Sequence, residues 1–259
     1  KYTFILVQLI IVIFLIYFFT KLCPLIVFDC DDWSYLYTFR LPIPMWKSHN
    51  PTRVMPETLM PLAGWLAARI IYPVCGNYVY AVTAISAIII TFMIETMCIC
   101  LYQLLVDRIE LTEKKALICE VMFILFFFLI FRNKEISNCM FSAADLCCIY
   151  FYTLSGILNA IIVLIFFRYA DMTDAFLSWG WFEKVFFAVI LYFALFSNIF
   201  HSAIIAIFAG VQITMHLFNL YKRKICFKQY LKMNVIYLLI VAIWGIVLVF
   251  EANGERVDA

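Results

Sequence analysis

The chain has 259 residues, of which 66% are hydrophobic, 19% aromatic and only 14% charged, with a mean hydropathy of +1.00. Soluble domains carry about 45–50% apolar and about 25% charged residues, so this composition requires lipid as solvent and excludes disordered, collagenous and nucleic-acid-binding classes. Nineteen Lys and Arg stand against seventeen Asp and Glu, a formal net charge of +2, which is too even for a polyanionic partner.

In chain order, apolar runs of spanning length occur at 2–19, 78–105, 116–131, 143–167, 185–196, 203–220 and 235–250. The first is longer than the apolar core of a signal peptide and lacks a small-residue cleavage site, so it reads as a retained membrane helix. The expected fold is all-α, a polytopic transmembrane helix bundle of about seven spans forming one membrane domain over 1–259. An eighth run, 58–72, contains Pro61 and Arg69 and falls short of the usual minimum of about 17 residues. It opens at Pro56-Glu57, where Pro suits a first helical turn and Glu complements the positive end of the helix dipole. It reads as an interfacial helix. Neither a repeat nor a heptad is visible. The chain opens at Lys1 without Met and closes in the polar segment 251–259, so both ends are expected to be truncations. Cys98, Cys100, Cys119, Cys147 and Cys148 lie in apolar runs, where a thiol acts as a small hydrophobe, and no disulfides or metal knuckle are expected.

Orientation follows the basic loops. The segment 221–232 holds Lys222, Arg223, Lys224, Lys228 and Lys232 and no acid, which assigns it to the cytoplasm. Counting back through the spans puts 107–115 and 168–184 inside, and 132–141 and 251–259 outside. If 58–72 does not cross, the segment 21–77 is the first extracytoplasmic loop. If it crosses, 21–56 become cytoplasmic, which Lys21, Arg40, Lys47 and Arg53 would mildly favour.

The unusual polarity is concentrated in that loop: Asp29, Asp31 and Asp32, then Arg40, His49-Asn50-Pro51-Thr52-Arg53 and Pro56-Glu57. Three clustered carboxylates repel one another, which raises a pKa or recruits a cation and opens a route to general-base chemistry. The plainer reading is a solvated loop whose Asp31 or Asp32 caps the next helix. Arg53 and Arg40 beside these acids suit a phosphate at the membrane surface, because a guanidinium binds it bidentately; alternatively they snorkel to headgroups. Pro51 prevents Asn50-Pro51-Thr52 from being a glycosylation acceptor.

The ordered set of a first span, an outer loop with Asp31-Asp32-Trp33, then Asn50-Pro51-Thr52-Arg53-Val54-Met55-Pro56-Glu57 and an apolar helix resembles the polytopic GT-C glycosyltransferases, specifically a poorly characterised bacterial branch. The tail Asn253-Gly254-Glu255-Arg256 resembles an outer-loop Arg motif of that branch. The resemblance covers loop order and these short motifs; members normally have more spans than seven, so the chain would be an N-terminal part. It implies a membrane glycosyltransferase in the bacterial cytoplasmic membrane, with its active site on the extracytoplasmic side. A polyprenyl-phosphate-linked sugar would be the donor, a glycan or lipid the acceptor, and membrane lipid the surroundings. The catalytic base would be Asp32 or Asp31, with Asp32 favoured. Arg53, Arg40, Glu57, His201 and Arg256 would bind substrate. A divalent cation, magnesium or manganese, could assist through Asp29, Asp31 or Asp32, although no ligand set demands one.

Elsewhere, Glu95 and Asp145 are carboxylates in or beside apolar runs. Glu95 suits pairing with a buried polar group, and Asp145 an ion pair near Arg132, Lys134 and Asn138. His201, beside Asn198 and Ser202, is placed at the outer end of its span, as a ligand contact or as a hydrogen-bonded core residue. Two other functions remain open. A transporter or flippase of lipid-linked glycans would need a polar path and broken spans that the sequence lacks. A non-catalytic membrane subunit would need none of the carboxylates.

Overall fold

The structure, a computed structural model, describes residues 2–130, 145–169 and 171–257. Its helices are α1 (Tyr2–Leu22), α2 (Cys30–Tyr37), α3 (Val54–Cys75), α4 (Tyr78–Asp107), α5 (Glu113–Ile130), α6 (Leu146–Arg168), α7 (Met172–Ser178), α8 (Trp181–Leu195), α9 (Ile199–Tyr221) and α10 (Phe227–Ala252). A 3₁₀ turn, Glu255–Val257, follows, and the described residues form no strand. The all-α, polytopic membrane architecture is therefore present.

Among the described residues six helices are long and apolar enough to cross a bilayer: α1, α3, α4, α6, α9 and α10. Two of the expected seven runs fall outside these six. The run 116–131 falls on α5, whose first residues are Glu113, Lys114 and Lys115 and which carries Glu120 deeper in; Phe131 lies outside the described residues. The run 185–196 falls on α8, whose 15 residues span about 22 Å at 1.5 Å per residue, short of a hydrocarbon core of about 30 Å. The run 58–72 is part of a longer helix. The helix there runs 22 residues, because Pro56 and Glu57 fall inside its first turn and it continues through Pro61 and Arg69 to Gly76, which ends it in the left-handed conformation at φ 67°. Length alone no longer excludes a crossing.

Polar residues start the helices. Asp29 caps α2 by accepting from the Asp31 and Asp32 amides, at 3.0 and 3.2 Å. Asn77 caps α4 through Tyr80 N–H, Asp145 caps α6 through Cys148 N–H, and Asn198 caps α9 through Phe200 N–H. Each supplies an acceptor to an amide that the helix itself leaves unpaired, typically worth about 1 kcal/mol.

The chain divides into two compact units. Unit 1 contains Lys1–Pro42 and Met55–Ile157. Within it α1 packs on α4 and α5, and the segment after α1 lies across the start of α4. Thr83 Oγ1 donates to the Leu25 carbonyl, Ile26 bridges Asp145, and Trp33 stacks on Tyr78 with ring centroids 6.2 Å apart. Gly64 of α3 sits against this segment so closely that a Cβ there would lie 2.6 Å from the Leu36 carbonyl oxygen and 3.1 Å from the Tyr78 hydroxyl. Arg40 meets Glu57 at the start of α3, Leu36 meets Gly64 in its middle, and Tyr72 packs edge-on against Tyr78 near its end.

Unit 2 contains Ile43–Val54 and Leu158–Ala259. Its centre is the antiparallel pair α9 and α10, joined by the Lys222–Cys226 turn. Asn234 Oδ1 lies 2.9 Å from His216 Nδ1, and Trp244 Nε1 donates to Ser202 Oγ at 3.2 Å. Phe166 stacks on Phe208 and meets Tyr237 edge-on. Lys232 and Asp174 pair at 2.6 Å, which places the basic α9–α10 loop and the α7 segment at the same end of the unit. Much of the outward surface of α9 and α10 is large and apolar, including Phe200, Ile207, Phe218 and Leu239, as lipid-facing helices require.

Candidate active site

Local rules build one cluster of candidate residues, in unit 1. Asp29 occupies the cap position of α2, so the next two acids, Asp31 and Asp32, fall in the first turn, where the helix dipole favours negative charge. Helical spacing then turns them apart. Asp31 is exposed, whereas Asp32 is completely buried. Asp32 Oδ2 accepts from Phe28 N–H at 2.6 Å and Oδ1 from Cys147 N–H at 2.8 Å. One carboxylate thus ties the entry to α2 to the first turn of α6. The expected helix cap exists, but Asp29 provides it, with Asp32 bracing two elements instead.

Burial pushes the Asp32 carboxyl above the ordinary carboxylate range. The hydrogen bonds from Cys147 and Phe28 hold it back in part, while the charge of Asp145 raises it further. Ligand atoms of Asp32, Asp145 and Cys147 lie within 4.8 Å of one another. That set does not fit magnesium or manganese, which favour hard oxygen ligands, because the third member is a soft thiol. Among the described residues the Asp29, Asp31 and Asp32 trio does not converge as a ligand group. The Asp145 partners suggested by sequence, Arg132, Lys134 and Asn138, lie outside the described residues.

Arg40 and Glu57 come together in the same unit. Arg40 Nη1 donates to Glu57 Oε2 at 2.8 Å, with both side chains largely buried. Both were expected to bind substrate; the fold joins them to each other across 17 residues of chain. The ion pair clamps the start of α3 to the end of the α2 segment, and breaking a buried pair by removing one partner is costly.

A separate cluster lies in unit 2. The segment 43–54 folds onto the end of α10 and the tail after it. Glu251 Oε1 accepts from both the amide and the hydroxyl of Thr52, Glu255 N–H donates to the Ser48 carbonyl at 3.2 Å, and Arg256 Nε donates to His49 Nε2 at 3.0 Å. Trp46 packs edge-on against Phe250, and Pro51 lies against Gly254 so closely that a Cβ there would approach to 2.9 Å. The fold thus places Arg53 one residue from the Thr52–Glu251 bond and brings Arg256 to His49, a neighbour in the same motif, across 207 residues. Two exposed bases, His49 and Arg256, now share one patch.

His201 lies on the first turn of α9, half-buried, at the end of the α9–α10 pair marked by Ser202 and Trp244. Its Nδ1 is buried and has no hydrogen-bond partner among the described residues. Asn159, Ser197, Asn198 and Ser202 are all buried in this unit, with Asn159 Nδ2 and Ser197 Oγ both donating to the Ala194 carbonyl. From Ser202's partner Trp244 to Glu251 is seven residues, or about 10 Å along a helix. The His201 end of the pair is therefore also the end that carries the tail.

Sequence reasoning missed Thr52, Glu251, His49 and Cys147. Thr52 and His49 sit inside a motif noticed only for its arginine, Glu251 stands at the end of an apolar run, and Cys147 takes part through its backbone amide. No protein-family model, curated protein or solved structure matches this chain.

Proposed function

We propose that the chain is a membrane glycosyltransferase that transfers a sugar from a polyprenyl-phosphate-linked donor to a glycan or lipid acceptor at the outer face of the bacterial cytoplasmic membrane. The observation that carries this reading is the binding of the Ser48–Arg53 motif to the Glu251–Arg256 tail. That contact gathers guanidinium and imidazole groups at the end of a membrane-helix pair, where a lipid phosphate would present itself. Glu251 within the patch is engaged by Thr52, which holds the motif against the tail.

In this reaction an acceptor hydroxyl gives its proton to a base, its oxygen bonds to the anomeric carbon, and the carbon–oxygen bond to the phosphate breaks with its electron pair leaving on polyprenyl phosphate. Arg53 and Arg256 stabilise the growing charge on that leaving phosphate. Within unit 1, Asp31 is the carboxylate able to take a proton, because it is the exposed member of the acidic pair, whereas both Asp32 oxygens are bonded to backbone amides. Asp32 holds Asp31's helix in place. His49 and His201 contact the donor or acceptor. The α3 helix lies along the membrane surface, a reading supported by exposed Trp65 and Arg69. Residues 21–77 then lie outside.

Polyprenyl phosphate is the product common to every donor of this class, so its binding tests the reading without knowledge of the sugar. Titration of a short-chain polyprenyl phosphate into the detergent-purified chain should give saturable binding that Arg53→Ala and Arg256→Ala each weaken by at least tenfold. Equal affinity in all three proteins would refute the phosphate site. Leu41→Cys, at an exposed position in a background lacking native Cys, should react with a membrane-impermeant maleimide on intact cells; protection until lysis would put the loop inside.

A further inference from the structure

Three helices of unit 1 bury a polar group that the proposed transfer does not use. Gln8 of α1 donates from Nε2 to both oxygens of Glu120 on α5, at 2.9 and 3.1 Å. Glu95, near the middle of α4, interacts electrostatically with Glu120. Thr91 lies one turn from Glu95 on the same helix, where i and i+4 side chains share a face. All four are at least nine-tenths buried, and Glu120 completely so.

Two features distinguish this group from a satisfied polar core. Two carboxylates stand in an interior where an uncompensated charge is severely unfavourable, yet no Lys, Arg or His among the described residues pairs with either. Moreover, three buried oxygens lack any hydrogen-bond partner: Gln8 Oε1, Thr91 Oγ1 and Glu95 Oε2. Buried polar atoms are almost always paired, so three unpaired oxygens on the helices packed against the one that carries Glu120 point to a missing positive partner. Gln8 Oε1 belongs to the amide whose nitrogen already touches Glu120, which fixes its position beside the pair.

We propose that Gln8, Thr91, Glu95 and Glu120 form an intramembrane binding site for a hard divalent cation, calcium or magnesium. A single divalent ion neutralises two carboxylates, and the donors are two carboxylates, an amide oxygen and a hydroxyl, the hard-oxygen set these ions select. Cys98 is also buried and interacts with both carboxylates; if its thiol were a ligand, the site would favour zinc. The site is independent of the sugar-transfer reading, because none of its residues belongs to the donor patch or the acidic loop.

The test is calorimetric titration of the chelator-treated, detergent-purified full chain with calcium, magnesium and zinc chlorides. The expected result is one calcium or magnesium ion per chain, with affinity lowered at least 100-fold by Glu120→Gln or Glu95→Gln. Asp174→Asn, which removes an exposed acid paired with Lys232, should bind as the native chain does. Thr91→Val keeps the size and charge of its site, so it guards against loss of binding through misfolding; it should retain the thermal transition of the ion-free native chain and bind about tenfold more weakly. Three outcomes would overturn the proposal: no binding of calcium or magnesium, which would leave protons to neutralise the pair; binding of zinc alone; or native affinity in Thr91→Val and both Glu→Gln variants.

Discussion

Replacing Asp32 with Asn separates bracing from catalysis more sharply than any other change in unit 1. Asp32 is completely buried, and each oxygen accepts one backbone N–H, from Phe28 at 2.6 Å and Cys147 at 2.8 Å. Asn keeps the shape but converts one oxygen into a donor, which then faces an amide that is also a donor. The variant loses one hydrogen bond to a charged acceptor, about 1.5–3 kcal/mol, and leaves a buried N–H unpaired at about 1–3 kcal/mol. Removal of a buried negative charge beside Asp145 offsets part of this, leaving a net destabilisation of about 2 kcal/mol. For a chain of this size that lowers Tm by about 4–8 °C, measurable by thermal unfolding in detergent. Asp31→Asn, at an exposed position, should shift Tm by less than about 1 °C, as surface substitutions do, while abolishing sugar transfer. An Asp32→Asn chain that melts with the native protein would refute the bracing role, and one that is fully stable yet inactive would return the base to Asp32.

Three further outcomes follow from the same geometry. Because Asp32 is shifted upward in the folded chain, it favours the protonated folded state: this contribution is complete below the unfolded carboxylate value of about 3.9 and is lost as pH rises through the higher folded value. The Tm advantage of the native chain over Asp32→Asn should therefore narrow with rising pH across that window, and an advantage that widens would contradict it. Gly64→Ala places a methyl 2.6 Å from the Leu36 carbonyl oxygen and should cost about 1–3 kcal/mol, visible as a lower Tm and a changed Trp33 emission; a neutral effect would mean that α3 does not press on this segment. Glu251→Ala removes the acceptor of both Thr52 bonds, so trypsin should cut at Lys47 or Arg53 about tenfold faster, as expected when an opening equilibrium shifts by about 1.4 kcal/mol. Unchanged cleavage would show that other contacts hold the segment.

Hydropathy alone determined that this is an all-α membrane protein, because lipid leaves no alternative to helices that satisfy their own backbone, apart from closed barrels. It located the cores of α1, α4, α6, α9 and α10, and the acid and arginine motifs, since these interrupt an otherwise apolar text. It gave apolar runs rather than helix bounds at α3 and α8, because caps, Pro in a first turn and Gly76 set the ends. The roles within the acidic pair were beyond its reach. Asp31 and Asp32 are adjacent and chemically identical, and only the approach of α6's first turn, 115 residues away, makes one a buried brace and leaves the other exposed. Likewise Arg40 and Glu57 read as two ligands until folding pairs them, and Thr52 and Glu251 carry no signal until a contact across 199 residues joins their motifs. Local composition records what a residue is; the partners that fix its charge, exposure and direction come from distant chain, and those only tertiary packing supplies.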